Sequence, residues 1–236
     1  MNNESFEKYL PKHVDTFKEF VKRKEYLNKF KKPIVSAFEC EYSEMQPKIV
    51  WKIETFVQSS LYRVIELIEI IEMCWDKKKF SGCFICARNI VENTAQLFYI
   101  NEKIRKFSTK NDINSINKII VESLFATRIN DKMPQAISIL TQIDKTDKKF
   151  NGFRGIYDLL CEVSHPNYLG LLGLYGSRDE EKLAFNFTAD NKERGNILHR
   201  VFLSIDHSLL IYESIINEVE NLYLDVAKLC EDYKPI

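Results

Sequence analysis

The residues best suited to chemistry lie between Tyr157 and Gly176, in the stretch YDLLCEVSHPNYLGLLGLYG. At helical spacing Tyr157, Cys161 and Ser164 share one strip, and Asp158, Glu162 and His165 share another. Pro166 pushes the residue before it out of the α region, so a helix reaching this point ends at His165. An imidazole at a helix C-terminus is favoured in its protonated form by the helix dipole, and Glu162, three residues earlier, adds to that tendency. A histidine so placed can act as a general acid or base. Asn167 and Gly170 follow in a non-helical turn, where glycine permits close backbone approach. The same residues also describe a plain helix stop with a His–Glu pair, and the sequence leaves both readings open.

A second set is Cys83-Phe-Ile-Cys86. A CxxC pair can bind zinc or cycle between redox states, and Cys161 with His165 would complete a four-ligand set. This pair sits inside an apolar helical pattern, where cysteine behaves as a small buried hydrophobe. No metal and no cofactor are expected. His13 falls in the first turn of its helix, where a surface or capping role is expected.

The elements that would position these residues are almost all helical. Leu10, Val14, Phe17, Val21 and Leu27 space an amphipathic helix over about 5–31 that begins near Pro11, and 32–46 form a connector. Pro47 opens a stronger helix whose stripe is Val50, Val57, Leu61, Val64, Ile68, Ile71 and Trp75, with Glu54 in its one gap. DKKK at 76–79 is a turn. The next helix, about 80–106, buries Phe84, Ala87, Val91, Ala95 and Phe98, with Arg88, Asn89, Glu92, Asn93 and Gln96 beside that stripe. Shorter helices are predicted at 112–127, capped by Asp112, and at 133–143. KTDKKFNG reads as a loop, and a helix over 152–164 ends at His165. Segments 171–175 and 183–188 flank GSRDEE as a β-hairpin, with Leu183, Phe185 and Phe187 on one face. A last helix, 192–233, carries Leu198, Phe202, Ile205, Leu209, Tyr212, Ile216, Val219, Tyr223 and Val226 in an unbroken four-three alternation. That pattern fits a bundle seam or a partner contact.

The expected fold is therefore all-α: a single domain over 1–236, with an N-terminal helix and connector (1–46), a helical bundle core (47–236), a long C-terminal helix and one small β-hairpin. Seven glycines and six prolines in 236 residues disfavour a tight-turned all-β chain. Lys+Arg and Asp+Glu are 34 each, so no global positive field draws the chain to nucleic acid or an anionic membrane. The most apolar run, 64–75, is broken by Glu66, Glu69 and Glu72 and is too short to span a bilayer. The opening residues lack a basic stretch followed by an apolar one, and the six cysteines read as thiols, so a cytoplasmic chain without a membrane partner is expected.

Tyr157-x2-Leu160-x4-His165-Pro166-Asn167-x2-Gly170, followed by a Gly/Tyr-containing hairpin, resembles a motif of bacterial HEPN-like helical proteins, whose functions are largely unassigned. An earlier helix in those proteins carries Arg-x3-Glu, here Arg88-Asn-Ile-Val-Glu92. The resemblance covers element order over about 50–225. It implies that the Arg88 helix packs against the one ending in His165. It also implies a homodimer, and RNA or a nucleotide, or a partner protein, as ligand. Metal-independent endoribonuclease activity in a toxin or phage-defence setting is one implied function. There His165 would be general acid or base on a ribose 2′-OH, Arg88 would stabilise phosphate charge, and Glu92 would orient Arg88. Tyr157, Glu162 and Asn167 would hold substrate. A non-catalytic nucleotide-binding or scaffold domain is the alternative. The ribonucleases of that superfamily place Arg-x4-6-His on one helix. Arg194…His199 and Arg200…His207 have that spacing here, whereas the His165 helix does not, since Arg154 lies eleven residues before it.

Overall fold

The computed structural model describes residues 14–31, 48–127, 129–187 and 192–232. Pro11, His13, the connector, Pro47 and Tyr233 lie outside the described residues. Seven α-helices are described: α1 (Val14–Asn28), α2 (Lys48–Asp76), α3 (Phe80–Ser108), α4 (Ile113–Phe125), α5 (Ile139–Lys149), α6 (Phe153–Ser164) and α7 (Lys192–Asp232). A π-helical turn, Tyr168–Gly173, and a two-stranded antiparallel hairpin, β1 (Gly176–Asp179) and β2 (Ala184–Phe187), lie between α6 and α7. The chain is an all-α bundle with a long C-terminal helix and one hairpin. Among the described residues no helix is long and apolar enough to cross a membrane.

The helix α3 is the axle, packing against α2, α4, α5, α6 and α7. Its sequence explains this, because apolar residues occupy most of its circumference and leave only a narrow polar flank. The α2 stripe from Val50 to Trp75 is buried throughout, and Glu54 in its gap is buried with it. Trp75 meets Phe202 of α7 edge-on at 4.7 Å and Phe80 of α3 at 5.2 Å between ring centroids, and Phe202 meets Phe20 of α1 at 5.9 Å. Four helices are thereby tied through edge-to-face aromatic contacts. Asp112 caps α4 by accepting from the Ser115 amide at 3.0 Å, as its position before the apolar run implies.

The C-terminal seam faces this core. From Leu198 to Val219 every member is buried, as is Val226, and Tyr223 is partly so. Inside it the Tyr212 hydroxyl donates to Ser60 at 2.9 Å. The alternation is thus the bundle seam of this chain, and a second copy would have to use another face.

Two segments differ from their sequence reading. The helix expected at 133–143 lies instead at Ile139–Lys149, and KTDKK belongs to it. Ile143 and Thr146 turn inward and the charged residues are its solvated face, so a polar run here is amphipathy and not a loop. Ahead of that helix Thr127 and Gln135 form an isolated bridge, and the Thr127 amide donates to the Pro134 carbonyl at 2.9 Å. The first strand lies at 176–179, not 171–175, and residues 168–173 coil as a π-helical turn. In the ribbon Gly176 pairs with Phe187 and Asp179 with Ala184, with Leu183 at φ 48° in the turn. This ribbon has no buried face to impose alternation, and its first strand, GSRD, carries no apolar pattern to find.

Candidate functional site

The helix that carries the motif is fixed at both ends. Gly152, at φ 92°, leads into α6, and the Asp147 carboxylate accepts from the amides of Gly152 (3.0 Å) and Arg154 (2.9 Å). At the other end His165 adopts φ −89° and ψ 154°, the extended conformation that Pro166 requires. Asn167 then accepts from the Gly170 amide at 3.1 Å, starting the π-helical turn. Gly170 is packed so closely that an added Cβ would lie 2.0 Å from the His165 carbonyl oxygen.

Arg88 and Glu92 stand one turn apart on the polar flank of α3, with Arg88 Nε donating to Glu92 Oε1 at 3.0 Å. Arg88 Nη2 also donates to the Tyr157 hydroxyl of α6 at 3.3 Å, and the guanidinium lies 5.5 Å from the Tyr157 ring centroid. The Arg88 and Glu92 side chains are 30% and 26% exposed, so the pair is partly withdrawn from water and needs its partners. Burial works against the Arg88 charge. The Tyr157 hydrogen bond, then Cys161 and Glu92, outweigh it and hold the guanidinium more firmly protonated than usual. Burial, then the neighbouring Cys161 thiol, push the Tyr157 phenol up, against the pull of Arg88.

Of the sequence-derived residues, Arg88, Glu92 and Tyr157 come together, and Cys161 joins them. His165, Glu162 and Asn167 do not join them through any described contact. Glu162 is on the exposed face of α6, His165 is exposed at its end, and Asn167 is engaged in its own turn. His165 lies eight positions after Tyr157, about 12 Å of helical rise between their backbones. In the first Arg–His pair of α7, Arg194 lies over the Phe80 ring, 5.3 Å from its centroid. Cys83 is buried and donates to the Ile71 carbonyl at 3.6 Å. Burial, then neighbouring thiols, push its thiol far up, and the Cys86 thiol is pushed up to about 11 by burial and then Cys74. These are core thiols, the protonated opposite of a reactive thiolate. Among the described residues no three His, Cys, Asp or Glu side chains are grouped to hold a metal ion.

Sequence reasoning missed a polar cleft of about 200 Å³ beside Glu92, to which Arg63, Asn93 and Gln142 contribute from three helices. It also missed a lysine-lined cleft of about 360 Å³ between α3 and α5. Neither has a local signature, because each forms only when separate helices pack.

Compared with family models, curated proteins and solved structures, the chain matches none. The fold and site thus define a class only: an all-α bundle with a polar cluster at one helix contact.

Proposed function

We propose that this chain is a non-catalytic HEPN-like domain that works by binding, with Arg88, Glu92 and Tyr157 fastening α6 and its His-Pro-Asn turn to the central helix. One observation carries the reading. The guanidinium that would stabilise phosphate charge is engaged by Glu92 and Tyr157, and about 12 Å of helix separates Tyr157 from His165. An acid–base residue must reach its proton directly or through one water, and no described contact brings His165 to the engaged guanidinium. A binding role draws support from the exposed apolar side chains of the π-helical turn and hairpin: Tyr168, Leu171, Leu172, Tyr175, Leu183 and Phe187. Such a cluster on contiguous elements is the usual mark of an interaction surface. A second copy of the chain is the occupant that the resemblance implies.

A metal-independent ribonuclease is the second reading. It is favoured by the His165 imidazole, which is exposed and makes no hydrogen bond or ion pair among the described residues. The two readings separate when wild type and His165→Ala are incubated with total RNA in EDTA. The binding reading expects intact RNA with both proteins. Cleavage by wild type that the substitution abolishes would replace it with the ribonuclease.

A further inference from the structure

The cleft between the C-terminal third of α3 and the outer face of α5 gathers Lys103, Lys106, Lys145, Lys148 and Lys149 around about 360 Å³. Glu102 is the single carboxylate in its lining. In a chain whose formal net charge is zero, this is a strong local concentration of one sign.

The neighbouring acids that could neutralise it are committed elsewhere. Asp144 accepts from Arg154 Nη1 at 2.7 Å, and Asp147 caps α6 through the Gly152 and Arg154 amides. Arg105, next to Lys106 in sequence, turns away to pair with Glu218 of α7. Among the described residues none of the five ammonium groups makes an ion pair. One cation at the end of each helix would offset the negative ends of α3 and α5. Five exceed that need.

We infer that this cleft binds a short phosphate chain: an inorganic oligophosphate or the phosphate tail of a nucleotide. Lysines act as point charges and do not impose the planar two-point geometry of arginine, so they suit a flexible row of phosphates. The volume is at the small end of ligand pockets, about 300–1,000 Å³, which fits a compact ligand better than a nucleic-acid strand. Lys103 already covers the Tyr99 ring, 5.4 Å from its centroid, so the aromatic face is occupied and the phosphates carry the recognition. The inference is independent of whether the Arg88 cluster is catalytic.

The test is calorimetric titration of the full chain with sodium tripolyphosphate, ATP, adenosine and a short single-stranded RNA, at low and high salt. Tripolyphosphate and ATP are expected to bind, to weaken with salt, and to leave adenosine silent. Binding to both marks the shared phosphate chain, and binding to tripolyphosphate alone marks the inorganic form. Lys103→Glu with Lys148→Glu should weaken binding on the order of tenfold or more, while Lys182→Glu on the hairpin should not. Lys145→Gln with Lys149→Gln, a milder change at exposed positions, gives the same readout should the reversed pair fail to fold. No binding of tripolyphosphate, binding that neither pair weakens, or binding of RNA alone would overturn the inference.

Discussion

Replacing Trp75 with alanine is expected to lower the unfolding free energy by about 3–5 kcal/mol, the range for deleting a large aromatic from a core. Trp75 is fully buried and has ring neighbours on both α3 and α7, so its loss opens a void where α2, α3 and α7 meet. Backbones of three long helices cannot close on such a void without disturbing the contacts on either side. Since a domain of this kind is stable by only about 5–15 kcal/mol, a loss of about 3–5 kcal/mol removes at least about a fifth of its stability, and all of it at the low end of that range. A urea titration reads this as a lower midpoint at an unchanged slope. Phe202→Ala would remove the next ring in the same series, and the two losses should not add, because they share one contact.

Gly170→Ala is expected to cost about 1–3 kcal/mol, as overpacking a rigid contact does. The new methyl would stand 2.0 Å from the His165 carbonyl oxygen and 3.1 Å from that of Val163, and backbone cannot rotate away as a side-chain tip could. Gly170 has no positive φ, so the demand is for space and not for backbone freedom. Gly155→Ala is the matched control. It lies in α6 with nothing within 4 Å of an added Cβ, so the same chemical change should stabilise by about 0.5–1 kcal/mol. Opposite signs at Gly170 and Gly155 would show that the motif's glycine is part of a packed turn. A stabilising effect at both would remove that reading of the motif.

These two positions also show what could be read in advance. The α2 and α7 stripes were legible because a residue that must be buried once per turn repeats at helical spacing, and Trp75 is the last member of one such stripe. The end of α6 was legible because Pro166 acts on its immediate neighbour by sterics alone. The shift of α5 was not, since KTDKK looks the same in a loop and on the wet face of a helix until Ile143 and Thr146 are known to face α3. The first strand escaped for a related reason, as neither face of the ribbon is buried deeply enough to write alternation into GSRD. At the site, the Arg88–Glu92 pair follows from i,i+4 spacing. That Tyr157 closes on Arg88 follows from no local pattern, and the resemblance implied only that their two helices pack together. The lysine cleft had no sequence signature at all, since its five members come from two helices whose packing brings them together.

The central claim is that Arg88 fastens α6 to α3 through Tyr157. A double-mutant cycle on the unfolding free energy tests it most directly, using Arg88→Met, Tyr157→Phe and the pair. Phenylalanine keeps the ring beneath the guanidinium and removes only the hydroxyl, so the coupling reports the 3.3 Å hydrogen bond. Arg88 is nearly a third exposed, which screens the interaction, so a coupling of about 0.5–1.5 kcal/mol is expected. Additive losses, with coupling below about 0.3 kcal/mol, would contradict the claim and leave the guanidinium free for another task.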